Sequence, residues 1–263
     1  MIAVGSRGRD GNLENSAGAA RKYLNMATIE NSESVTDMDL FSDDRHFLAR
    51  LKATGYEPRV IYDVGASTGI WSEVASTVFP DAKFHLFEPL AELYKNDLQS
   101  RMKRLPNLAL HAVALGDANG TAPMFVARDK YGSSLNDRGE VAEVLRATPV
   151  PVHRLDDYAR QWHLPPPQVV KIDCQGAEAL IMAGAEEALQ SAEVLLLETW
   201  FQRGYGPKTP LICEIVEFLR IRRFSLVDLG EHFYDQDHRL YSVDAFFLAE
   251  SLLTEIRLPP ECG

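Results

Sequence analysis

The chain has 263 residues, 46% of them apolar and 25% charged, enough for one large α/β domain with a sizeable core. Its 38 acidic residues against 27 basic ones leave a formal charge of −11, which repels a phosphate backbone and argues against nucleic-acid or anionic-membrane partners. Three cysteines, Cys174, Cys213 and Cys262, an odd number without metal-ligand spacing, indicate neither a disulfide framework nor a zinc site and fit a reducing cytoplasm, and no apolar run approaches bilayer-spanning length.

Residues 1–15 are polar, Gly-rich and without periodicity, and read as disordered. Apolar spacing predicts short helices over 16–26 and 42–54, so 16–56 form a helical preface to a domain spanning 57–252, with 253–263 as a tail. Strands are predicted near 59–64, 83–88, 108–113, 168–173, 194–199, 224–229 and 243–249, and helices near 70–78, 90–103, 176–189 and 210–222. Such alternation argues a doubly wound sandwich with a mostly parallel, seven-stranded sheet. An insertion over 121–157 interrupts it. Its two apolar runs suggest an extra hairpin, and the polar stretch 127–140 between them reads as a mobile loop at the carboxyl edge of the sheet.

The most informative run is VIYDVGASTGIWSEVA, residues 60–75. An apolar strand ends in Asp63-Val64-Gly65 and turns through Ala66 and Gly69 into an amphipathic helix, as a cofactor turn does. The glycines read G-A-S-T-G rather than G-x-G-x-x-G, which disfavours a nicotinamide dinucleotide. Asp63, two residues before the first glycine, repels an anion and favours a cationic ligand such as S-adenosylmethionine, with its sulfonium and α-ammonium groups. The second strand ends in Glu88-Pro89, where a carboxylate can accept both hydroxyls of a ribose. Asp173 and Glu198 end two further strands, so four acids share the carboxyl edge.

With these features the chain resembles class I S-adenosylmethionine-dependent methyltransferases, and within them the FkbM family. HAVALGDANGTA at 111–122, VHRLDDYARQW at 152–162 and VVKIDCQGAEALIMAGA at 169–185 carry the narrower match. Family members commonly read K-I-D-V-E-G-A-E where this chain reads Lys171-Ile172-Asp173-Cys174-Gln175-Gly176-Ala177-Glu178, departing at Cys174 and Gln175. The resemblance implies a Rossmann-like methyltransferase sandwich whose last strand is antiparallel and inserted. It implies that Asp63, Gly65, Ala66, Gly69, Glu88, Pro89 and Asp173 hold the cofactor, with Ala114 and Leu115 at the adenine.

The implied reaction is O-methylation of a hydroxyl on a small molecule, a natural-product intermediate or a sugar. An alcohol is a weak nucleophile whose proton must leave to a base. Asp173 is the first choice for that base, His153 and His232 the others. Ser133 in the polar loop is read as touching cofactor or substrate, and Trp200 and Tyr205, after the fifth strand, as an aromatic wall for the acceptor. Asp173, Glu198 and Asp244 raise the option of Mg²⁺, though two neighbouring acids do not by themselves make a site. The alternatives are N-methylation and a binding module without chemistry, the latter kept open by the neutral Gln175. The oligomeric state is open, a homodimer being one option.

Overall fold

The computed structural model describes residues 41–128, 131–136, 144–235 and 237–259; the helix predicted over 16–26 and the segment 1–15 lie outside them. The chain begins with α1 (Ser42–Ala53), β1 (Val60–Val64), α2 (Ile70–Val78), β2 (Lys83–Phe87), α3 (Lys95–Arg104) and β3 (Leu108–His111). An insertion of β4 (Ala114–Leu115), β5 (Gly120–Ala127) and β6 (Val144–His153) follows, leading to α4 (Leu155–Gln161) and β7 (Val169–Ile172). The remainder is α5 (Glu178–Ala183), α6 (Glu186–Ser191), β8 (Val194–Trp200), α7 (Ile212–Ile221), β9 (Phe224–Tyr234), β10 (Leu240–Ala249) and α8 (Glu250–Glu255).

Seven strands form one sheet in the order β3-β2-β1-β7-β8-β10-β9. All pairs from β3 to β8 are parallel, and β10 runs antiparallel between β8 and β9. β1 and β7 are buried throughout, as strands covered on both faces require. One face packs Leu48 and Leu51 of α1, Trp71 and Ala75 of α2 and Leu98 of α3 against Ile61, Phe84 and Phe246; the other packs Ile181, Leu189 and Leu219 against Tyr62, Val170 and Leu195. Phe47 stacks on Phe246 at 4.4 Å between ring centroids and seats the preface helix on the inserted strand. The result is the mixed α/β Rossmann-like methyltransferase fold, with its strand order reversing between β1 and β7, where such folds bind ligands at the carboxyl edge.

Four expectations are corrected. The strand predicted over 108–113 ends at His111; residues 114–115 pair instead with β6, in a separate three-stranded sheet of order β4-β6-β5. The helix predicted from 90 starts at Lys95, because the Leu90 N–H turns back to donate to Glu88 Oε1 at 2.7 Å. The helix predicted over 176–189 is two helices. Gly184 separates them, pressed so close to the Gly116 carbonyl that a Cβ would overlap it, and Asp156 accepts from the Glu187 and Ala188 N–H groups at 3.0 and 3.1 Å to cap α6. Part of the stretch read as mobile is pinned. The Ser134 hydroxyl donates to the Gln175 carbonyl at 2.8 Å and the Asn136 amide to the Gly176 carbonyl at 2.9 Å.

Candidate active site

The turn after β1 and the turn after β7 meet at the point where strand order reverses. Gly65 has φ +79°, and a Cβ there would overlap the Asp173 carbonyl oxygen, so only glycine lets the two backbones come this close. Beside them lies a cavity open to solvent. Gly65, Ser67, Glu88 and Pro89 form one side of its wall; Asp173, Cys174 and Gln175 belong to the β7 exit, and Ala114 and Leu115 to β4. Ser133, from the insertion, is also in the wall, its hydroxyl accepting from the Ala127 N–H at 3.1 Å.

Glu88 is held by backbone. Its two carboxylate oxygens accept from the N–H groups of Ser67, at 2.8 Å, and Leu90. Burial raises its pKa to about 7, against the opposing pull of those two N–H groups. Asp173 extends from the end of β7; its Oδ1 accepts from the Gln175 side-chain amide at 2.7 Å and its Oδ2 lies 3.8 Å from the Lys171 ammonium. Glu178, from the same motif, works on the backbone: one oxygen accepts from the N–H groups of Cys174 and Gly176, both at 3.1 Å, closing the turn that carries Gln175.

Asp63 is placed differently from the sequence reading. It is 0% exposed and points into the protein, where Ser72 donates to it at 2.7 Å and the Lys171 ammonium stands 3.4 Å away. Register explains this, since Asp63 and Lys171 are directly paired on neighbouring strands β1 and β7. Burial alone would depress the Lys171 ammonium, but the Asp63 and Asp173 carboxylates hold it above the usual lysine range. The negative charge expected to greet a cationic ligand is therefore met internally. Ala66 and Gly69 also sit behind the wall: they shape the turn, the Gly69 N–H donating to the Ala66 carbonyl at 2.7 Å.

Other predicted residues are not part of the cavity wall. Trp200 and Tyr205 are each 1% exposed and pack on Tyr241 in an aromatic cluster of their own rather than lining the wall. His153 ends β6, paired across with Leu115, its ring 5.3 Å from that of Tyr158. His232 is exposed on the edge strand β9. Glu198 lies inside β8, opposite Asp244 in register. Among the described residues no group of three or more His, Cys, Asp or Glu is arranged to hold a metal ion. Among them, too, no helix is long and apolar enough to cross a membrane.

Several wall residues escaped the sequence reading, Ser67 and Gln175 among them. Ser67, at φ +49°, and Gln175, at φ +55°, both take a left-handed backbone that non-glycine residues rarely adopt. Each also has a buried side-chain oxygen, Ser67 Oγ and Gln175 Oε1, without a hydrogen-bond partner. Such strain and such orphaned oxygens gather at ligand sites, where a bound group supplies the missing partner. Only the odd glutamine in the 171–178 motif hinted at either.

Comparison with known proteins places the chain in a family. The chain is 26% identical over 209 residues to methyltransferase sdnD of Sordaria araneosa, covering 67% of this chain and 78% of that protein. Among solved structures, magnesium protoporphyrin IX methyltransferase of Synechocystis PCC 6803 superposes with a TM-score of 0.48 at 14% identity, over 92% of this chain and 100% of that one. The O-methyltransferase TomG of Streptomyces achromogenes gives a TM-score of 0.46, also at 14% identity, over 92% and 91%. These structural overlaps are loose, and the fold assignment rests on strand order and direction. The methyltransferase FkbM domain matches residues 63–230, a span that takes in the cofactor turn, Glu88, the insertion and the 171–178 motif, and the chain belongs to that family.

Proposed function

We propose that this protein transfers a methyl group from S-adenosyl-L-methionine to a hydroxyl oxygen of a small molecule, a natural-product intermediate or a sugar, in the cytoplasm. The supporting observation is one cavity at the reversal of strand order with Glu88 and Asp173 both in its wall. Glu88, its oxygens already oriented by two N–H groups, accepts the ribose hydroxyls with its remaining lone pairs. Gln175 Oε1, an acceptor, and Ser67 Oγ, which can donate or accept, are buried without partners inside the protein, so the residues fit a polar ligand. Ala114 and Leu115 provide an apolar wall for the adenine.

The cofactor supplies a methyl carbon activated by its sulfonium; the protein supplies position and a proton acceptor. Holding the acceptor oxygen in line and excluding water is worth roughly 7–11 kcal/mol. Asp173 would take the hydroxyl proton as the methyl passes from the sulfonium sulfur to the acceptor oxygen, the S–C bond breaking to leave S-adenosylhomocysteine, with Gln175 and Lys171 keeping its carboxylate oriented. Asp173→Asn removes that proton acceptor and keeps the shape. Transfer of labelled methyl to a hydroxyl acceptor is expected to fall at least about 100-fold, with S-adenosylhomocysteine still bound. Near-normal turnover by Asp173→Asn on an amine acceptor would replace O-methylation with N-methylation. Failure of the wild type to bind S-adenosylhomocysteine would overturn the cofactor reading.

A further inference from the structure

Gln175 occupies a costly position. Its backbone is left-handed at φ +55°, it is 5% exposed, and four contacts hold its turn: Ser134 on its own carbonyl, Asn136 on that of Gly176, and Glu178 on the N–H groups of Cys174 and Gly176. Its side chain is half used. Nε2 donates to Asp173 Oδ1 at 2.7 Å, and this fixes the amide so that the remaining atom is an acceptor. That acceptor, Oε1, is buried without a partner on a residue that lines the cavity. An orphaned buried carbonyl is expensive unless a bound group completes it.

We propose that Gln175 Oε1 accepts a hydrogen bond from the α-ammonium of the cofactor's amino-acid end, making Gln175 a binding residue that selects a methyl donor bearing that group. The inference rests on the cofactor reading above. The donor cannot be the attacking hydroxyl, whose single proton goes to Asp173. An ammonium has three protons and can give one to Gln175 while the nearby Asp173 carboxylate balances its charge. The ribose and adenine are excluded by place, since Glu88 and β4 take those ends.

The test is calorimetric and needs no turnover. S-adenosylhomocysteine and its deaminated analogue, with hydrogen in place of the α-amino group, are titrated into wild type, Gln175→Ala and Gln175→Asn, each checked for wild-type thermal unfolding. Asparagine tolerates the left-handed backbone and withdraws the carbonyl by one methylene, so it serves if the alanine variant does not fold. Wild type is expected to prefer S-adenosylhomocysteine by roughly tenfold or more, the scale of a hydrogen bond to a charged group, and the variants to lose most of that preference, keeping only the attraction of Asp173, while holding the analogue within about twofold of wild type. A wild type without preference, a preference undiminished in a folded variant, or equal weakening of both ligands would each overturn the assignment. Absence of binding of either ligand to wild type would instead sink the cofactor reading on which it rests.

Discussion

Glu88 is a residue of the cavity wall that titrates near neutrality. Burial raises its pKa from 4.5 to about 7, so near neutrality the ligand-free protein holds a fraction of it protonated and unable to accept two ribose hydroxyls. Because the folded value lies above the unfolded one, its contribution to the stability of the ligand-free protein is full below 4.5 and is lost as pH rises through 7. Binding runs the other way. The affinity for S-adenosylhomocysteine is expected to rise between pH 6 and 8 with release of a proton, seen as a calorimetric heat that depends on the buffer's ionisation enthalpy. Glu88→Gln should bind more weakly and without that pH dependence. Glu88 was legible in the sequence because an acid ending a second strand has one common use; Ser67 and Gln175 were not, because neither residue type announces a left-handed backbone and only the folded turns impose it.

At the scale of elements, periodicity located most strands and helices but could not see their breaks. Residues 176–189 carry helical spacing throughout, yet Gly184 must sit against Gly116, and the new helix after it is capped by Asp156 from thirty-one residues earlier in the chain. Local pattern contains no record of such a distant partner. Asp156→Ala should cost about 1 kcal/mol of stability, as loss of a helix cap does, and leave S-adenosylhomocysteine affinity unchanged because α6 contributes nothing to the wall; urea unfolding and calorimetry check the two halves. The insertion shows the same limit. Its hairpin was read from two apolar runs, whereas the anchoring of Ser134 and Asn136 on the 175–176 turn depends on where the main sheet ends.

Across the whole molecule, the sheet order converts scattered motifs into one site and also buries groups that titrate. His85 and His111, on neighbouring strands β2 and β3, face each other at 3.0 Å, and His111 continues to the Tyr158 hydroxyl at 3.3 Å. Burial, then the neighbouring His85, lowers His111 from 6.5 to about 4. The folded protein thus binds fewer protons here than the unfolded chain, and the stability this pair contributes is full above about 6.5 and lost as pH falls towards 4. The urea midpoint of wild type is expected to fall more between pH 7 and pH 5 than that of His111→Phe, with equal falls refuting it. By itself the amino-acid sequence determined the class of fold, the cofactor turn and the acids that end β2 and β7, because strand burial, glycine spacing and acid placement are local properties. Only the tertiary structure decided which of those groups lie in the cavity wall. It paired Asp63 with Lys171, withdrew Trp200 and Tyr205 into a cluster of their own and set Ser67 and Gln175 in the cavity wall, since strand register and long-range packing, not residue type, determine which way a side chain faces.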